Sequence, residues 1–134
     1  MIIITSISPS HSNYENQQKA INSWEDNGQI FSLNCTEEIE ALKGQYPSVN
    51  FLETSRTTEF FTGKNLVSIN AMIDIAKLHC QDLLLINSDI EITELPELKK
   101  DGITIFSRYD YVDEANKELA TMFPHGFDVF HIPW

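Results

Sequence analysis

Residues 83–92 read LLLINSDIEI: a deeply apolar run stops at Asn87, Ser88 and Asp89, with Glu91 close behind. Oxygen-rich side chains at such a stop suit a hard cation, Mn²⁺ or Mg²⁺. On an extended segment, positions i and i+2 face the same way. Asn87 with Asp89, or Asp89 with Glu91, could therefore share one metal. The plainer alternative is a turn after a strand, with Asp89 as its cap. Further along, Arg108-Tyr109-Asp110-Tyr111 joins a cation suited to bidentate oxyanion contact with rings suited to stacking on a sugar substrate. Its plainer alternative is an Arg108–Asp110 surface pair worth ~0–1 kcal/mol. Asp128, in Gly126-Phe127-Asp128, could act as a catalytic base toward a hydroxyl, or be a satisfied polar group near a strand start. Arg56 lies in a polar loop, 53–63, that could close over a diphosphate or be an ordinary surface connection. None of His11, His79, His125 and His131 pair at zinc spacing, and only His11 lies near an expected site. No nucleophile elbow, dinucleotide fingerprint or P-loop is present.

The elements that position these residues follow from hydrophobic periodicity. Residues 2–7 read as a buried strand, broken by Ser8-Pro9-Ser10-His11-Ser12-Asn13. From Tyr14 to about Asp26, the residues Gln17, Ala20, Ile21 and Trp24 recur at helical spacing, and Asn27-Gly28 closes that helix. Further strands are expected over 29–34, 49–52, 83–86, 103–106 and 127–132. Further helices are expected over 36–45, capped from the 34–37 segment, and over 64–80 and 114–121. Strands that are continuously apolar, alternating with helices, predict an α/β fold. It would have three layers, α/β/α, around a mainly parallel sheet with right-handed crossovers. Ligands in such sheets sit outside the carboxyl ends of the strands. Those ends are Thr5-Ser6, Asn34, Glu53, Asn87 to Glu91, and Arg108.

The chain has 134 residues, the size of one domain spanning 1–134. Asp and Glu number 20 against 9 Lys and Arg, a formal charge of −11 spread along both halves. This balance argues against nucleic acid and against an anionic membrane surface as partners. It also calls for a cation to bridge any phosphate ligand. No apolar run approaches the ~20 residues of a membrane span. The start, MIIIT, lacks the basic region of a secretory leader. Cys35 and Cys80 have no metal spacing and are expected to be reduced and buried, in a cytoplasmic chain.

The stretch GKNLVSINAMIDIAKLHCQDLLLINSDIEI resembles the central part of GT-A nucleotide-sugar glycosyltransferases. In that family a helix beginning near a basic residue runs into a hydrophobic strand that ends in an Asp-x-Asp motif. IIITSI, QQKAINSW and QIFSLN resemble the family's first β-α-β unit, and GFDVFHIPW resembles a Gly-Phe/Tyr-Asp strand of related sequences. The resemblance covers most of the chain through short motifs. It implies a GT-A-like fold, a nucleotide-sugar donor, a sugar or other hydroxyl acceptor, and Mn²⁺ or Mg²⁺ on the donor's diphosphate. Asn87-Ser88-Asp89 falls on the Asp-x-Asp motif, with a neutral amide in place of the first acid. Asp89 would then be the direct ligand, whereas the frame Asp89-Ile90-Glu91 keeps two carboxylates. By the same resemblance Thr5 and Ser6 would line the base and ribose pocket, Asn34 would contact base or ribose, and Lys64 would approach the nucleotide.

The family continues well past its metal motif to build an acceptor half, and few residues follow Glu91 here. The site is therefore expected to be minimal, inactive, or completed by a partner chain or a second copy. Pro133-Trp134 could anchor such an interface. The leading expectation is metal-dependent glycosyl transfer. Its alternative is a non-catalytic module of the same fold, used for binding or assembly. A nucleotidyltransferase fits less well, because Ser8 to Asn13 contains no Gly, Lys or Arg.

Overall fold

A strand with no polar alternation has to be covered on both faces. In a computed structural model, which describes residues 1–10, 14–63, 65–111 and 114–134, Ile2–Thr5 is such a strand, β1, and is buried throughout. There follow α1 (Tyr14–Trp24), β2 (Gln29–Asn34), α2 (Thr36–Leu42), β3 (Val49–Glu53), α3 (Glu59–Thr62) and α4 (Ile69–His79). Then come β4 (Leu83–Ile86), β5 (Thr104–Asp110), a 3-10 turn (Glu114–Leu119) and β6 (Thr121–Ile132). The fold is α/β, with a six-stranded mixed sheet in the order β3-β2-β1-β4-β6-β5.

β1 pairs in parallel with β2 and with β4, and β2 with β3. β6 runs antiparallel to both β4 and β5, so the sheet is less parallel than the sequence suggests. The connection explains this. A parallel partner needs a crossover of about a dozen residues or more, usually a helix. Among the described residues between Asp110 and Thr121 there is only a short 3-10 turn. The pairing of β5 with β6 is also irregular, with register shifts at Phe106/Ser107 and Ser107/Arg108.

Successive strand residues face opposite ways, and the two core clusters follow that alternation. Ile3, Ile30, Leu84 and Val129 gather with Ala20, Ile21 and Trp24 of α1 and Leu42 of α2. Ile2, Ile4, Phe31, Leu33 and Leu83 gather with Ala71, Met72 and Ala76 of α4.

The helix expected over 64–80 begins only at Ile69. The residues before it turn back on the preceding loop instead. Thr57 bridges to Val67, Thr58 N–H donates to Leu66 O at 2.8 Å, and Ser68 N–H donates to Arg56 O at 2.8 Å. At its other end α4 is closed by Cys80 in the left-handed conformation, φ 50°. That capping position leaves Cys80 exposed, and Cys35 is half-buried, so neither thiol has the buried place expected for it; both are free. Lys64 and His11 fall outside the described residues. No described helix is long and apolar enough to cross a membrane.

At the end of the sheet where β4 begins, Asp82 fastens the last strand. Its Oδ1 accepts the Trp134 N–H at 2.8 Å, and its Oδ2 lies 3.5 Å from Nε2 of the fully buried His131. The Trp134 N–H, opposed by burial and helped by His131, holds the Asp82 carboxyl below the usual carboxylate range. A depressed carboxylate stabilises the fold above its unfolded pKa, and that stability is lost as pH falls through the folded value. Urea melts from neutral pH to below about pH 4 are therefore expected to fall less steeply for Asp82→Asn than for wild type. The variant should be the weaker protein at neutral pH, and parallel profiles would remove Asp82 from this role.

Candidate functional site

The strand order places the site. β1 hands the chain on to β2 on one side, while β4 returns on the other side of β1. A crevice opens outside the carboxyl ends of strands at such a reversal. There a cleft of about 640 Å³ is lined by Thr5 and Ser6 at the end of β1, Asn87 at the end of β4, and Phe127 and Asp128 of β6. A second cleft, of about 910 Å³, lies beyond the end of β4 and is lined by Asp89, Glu91, Arg108, Tyr109, Asp110 and Lys117, among others.

Asp128 lines the first of these, and its partner Arg108 lines the second. Phe106 of β5 faces Val129 and Ser107 faces Phe127, so Asp128 is an extra residue in β6. Such a bulge bends the strand and re-aims the side chain. A β-carbon at Gly126 would lie 2.6 Å from the Phe123 ring and 3.1 Å from Asp128 Oδ2, so the bend needs a glycine there. The Asp128 side chain is 12% exposed. Its Oδ1 accepts Asn87 Nδ2 at 2.7 Å and its Oδ2 accepts Arg108 Nη1 at 2.8 Å. Arg108 also donates through Nε to Asp110 at 2.8 Å, and its guanidinium sits 4.6 Å from the centre of the Phe123 ring. Burial opposes the charge on Arg108, but the hydrogen bond to Asp110 and the charge of Asp128 outweigh it and raise its pKa.

The segment after β4 is not extended. Ile90 N–H donates to Asn87 O at 3.3 Å, which closes a turn. This breaks the geometry on which a shared metal between i and i+2 depends. Asn87 faces the first cleft, whereas Asp89 and Glu91 line the second. Glu91 is further committed to Lys117 at 2.6 Å and Tyr111 at 3.4 Å. Among the described residues no group of three or more His, Cys, Asp or Glu is placed to hold a metal ion.

Helix α1 holds this turn in place. Gln17 donates through Nε2 to Ser88 Oγ at 2.9 Å and accepts the Tyr46 hydroxyl at 2.8 Å. Burial, with Tyr14 beside it, pushes the Tyr46 hydroxyl up to about 12. Trp24 Nε1 donates to Ile90 O at 2.9 Å, and Ile92 N–H donates to Ser23 Oγ at 2.9 Å. Three side chains of one helix thus hold the segment from Ser88 to Ile92, through the Ser88 hydroxyl and the backbone of Ile90 and Ile92.

The other expected residues have separate fates. Thr5 is fully buried beneath the first cleft, and its hydroxyl has no hydrogen-bond partner among the described residues. Asn34 is fully buried and does not line either cleft. Its amide donates to Ile7 O and to Glu38, each at 2.8 Å, and its Oδ1 accepts Ser32 at 2.6 Å. It fastens the chain leaving β1 to the start of α2. Arg56 pairs with Asp74 of α4 at 2.6 Å. Gln17 and Lys117 are not visible as site residues in the sequence; the signal for Gln17 is a polar residue inside an otherwise apolar helical stripe.

No protein-family model matches the chain, and no curated protein matches it.

Gln17→Ala should leave the Tyr46 and Ser88 hydroxyls buried without their partner. The expected loss is about 1–3 kcal/mol, read as a lower urea midpoint at unchanged slope. A change under about 0.5 kcal/mol, the range of a neutral surface substitution, would show that this amide does not carry the turn.

Proposed function

We propose that this chain is a three-layer, GT-A-like domain that binds a nucleotide sugar in the 640 Å³ cleft and transfers the sugar to a hydroxyl acceptor. One observation carries the reading. Thr5, Ser6, Asn87 and Asp128, separated widely in sequence, meet in a cleft at the reversal of strand order between β1 and β4, where open α/β sheets bind their ligands. The three-layer reading is supported by the packing of α1 and α2 in one core cluster and of α4 in the other.

In this reading the acceptor oxygen attacks the anomeric carbon, the bond from that carbon to the diphosphate oxygen breaks, and the acceptor's proton passes to Asp128. A carboxylate offers about four lone-pair sites. Asn87 and Arg108 occupy two of them, fixing the orientation of the group and leaving room for a hydroxyl. Inverting transfer needs only one such base.

Mn²⁺ or Mg²⁺ fits the donor set only in a reduced form. Asn87 faces the donor cleft but is engaged by Asp128, and Glu91 is engaged by Lys117. Asp89 would be the carboxylate to hold the ion, and because it lines the 910 Å³ cleft the donor's diphosphate would have to reach past the Asn87–Ile90 turn to meet it. Mg²⁺ sites often take one or two carboxylates plus substrate phosphates. The ion would neutralise the leaving diphosphate.

A second reading, a non-catalytic module of the same fold, draws on the engagement of Asn87 with Asp128 and of Glu91 with Lys117. Thermal unfolding against a panel of sugar nucleotides, with and without Mn²⁺, separates the two. A ligand at ~100 times its Kd adds about 2.7 kcal/mol, a shift of several degrees. Transfer predicts a Mn²⁺-dependent shift for one nucleotide, absent in Asp89→Ala that remains folded. No shift with any nucleotide on folded protein would favour the assembly module.

A further inference from the structure

Apart from Asp89, the 910 Å³ cleft is lined by Ile90, Leu95, Phe106, Arg108 and Asp110, among others. Ile90, Leu95 and Phe106 pack on the α1 core cluster yet stay only partly buried, which leaves an apolar floor open. Arg108 uses two of its three guanidinium nitrogens: Nε donates to Asp110 Oδ1 and Nη1 to Asp128 Oδ2, each at 2.8 Å. A guanidinium has five N–H donors, and the two on Nη2 have no partner among the described residues. Asp110 Oδ2 likewise accepts from none of them. Arg108, Tyr109 and Asp110 pair in unbroken register with Phe123, Met122 and Thr121, so the side chains of Arg108 and Asp110 face the same way. The guanidinium also rests 4.6 Å from the centre of the Phe123 ring. An open donor and an open acceptor thus stand next to each other, held in place, in a cleft within the ~300–1,000 Å³ of small-molecule sites.

We infer that this part of the cleft binds a free α-amino acid with an apolar side chain. Its carboxylate accepts from Arg108 Nη2, its ammonium donates to Asp110 Oδ2, and its side chain lies on Ile90, Leu95 and Phe106. In an α-amino acid the two charged groups are neighbours, as the open groups of Arg108 and Asp110 are. The local charges favour a ligand carrying both signs. One guanidinium between the carboxylates of Asp110 and Asp128 is a net negative group, so a further carboxylate alone would meet repulsion. An ammonium alone would face the guanidinium and leave its Nη2 donors unused. A zwitterion brings the carboxylate that Nη2 lacks together with the positive charge that offsets it. The neighbouring Glu91–Lys117 pair is neutral as a unit and tips the balance neither way. This site does not use Asp89, and it stands whether or not the other cleft takes a nucleotide.

Two reporters sit in the site. The Arg108 Nε–H faces Asp110, and the Trp24 indole N–H donates to the carbonyl of Ile90, which lines the cleft. The full ¹⁵N-labelled chain is titrated with leucine and with phenylalanine, each to tens of millimolar. The same titration is run with 3-phenylpropionate, which lacks the ammonium, and with phenethylamine, which lacks the carboxylate. A saturable shift of both reporter signals is expected with at least one amino acid. Each single-charge analogue should bind about tenfold or more weakly than phenylalanine, the loss of one charge-assisted hydrogen bond. Asp110→Asn, checked for an unchanged spectrum elsewhere, should weaken the amino acid by a similar factor, read at the Trp24 indole, and should not weaken 3-phenylpropionate. No saturable shift with either amino acid would overturn the inference. So would an analogue that binds as well as phenylalanine, which would make this a site for a single charge, or amino-acid binding indifferent to Asp110→Asn.

Discussion

Gln17 is 1% exposed, and a primary amide cannot be left unpaired at that depth without a penalty of the order of a few kcal/mol. It escapes the penalty by joining the Tyr46 hydroxyl to the Ser88 hydroxyl. Those partners come from the chain before β3 and from the turn after β4, so one side chain ties together parts of the fold that are far apart in sequence. The apolar stripe of α1 sets the helix on the sheet; the amide within that stripe sets where the site begins. With Trp24 and Ser23 it converts a loop, ordinarily the most variable part of such a fold, into a segment with few freedoms.

On this held turn the polar groups divide. Ser88 points inward to the helix, Asn87 toward one cleft, and Asp89 toward the other. Asp128 faces the first cleft because β6 passes it without a partner on β5, at the first of two places where the pairing of these strands shifts. The carboxylate is gripped from both sides by donors of different kinds, a neutral amide and a guanidinium. Such a group is oriented before any ligand arrives, which is the condition for it to act on a proton at a defined place.

Much of this organisation is legible in the sequence because it depends on local pattern. The stripe at Gln17, Ala20, Ile21 and Trp24 marks α1, and the bounds of β2 and β4 are those of their apolar runs. The crevice at Thr5, Ser6 and Asn87 follows from strand ends alone. What escapes is set by partners distant in the chain. The antiparallel course of β6 depends on which neighbour β4 accepts. The length of β6, from Thr121 rather than from Phe127, depends on β5 being there to pair with it. The turn at Asn87 depends on Gln17 and Trp24, and it separates side chains that an extended segment would have aligned. Asn34 looks like a ligand-facing residue at a strand end, yet the chain beyond β1 folds over it and takes up its amide.

The bulge at Asp128 has a consequence for how this molecule meets its own kind. β5 is the outermost strand of the sheet on that side, and an outermost strand that is long, flat and apolar invites a second molecule to add to it. Ile103 and Ile105 are exposed there. The misfit that turns a carboxylate toward the first cleft also interrupts the regular pairing of β5 with β6, and a bulge of this kind bends and twists its strand. Arg108 and Asp110 place charge on the far half of β5. An outer strand interrupted in this way is a poorer template for a second molecule. The irregularity that aims the Asp128 carboxylate is also the one that breaks the regular edge, so removing it would alter both.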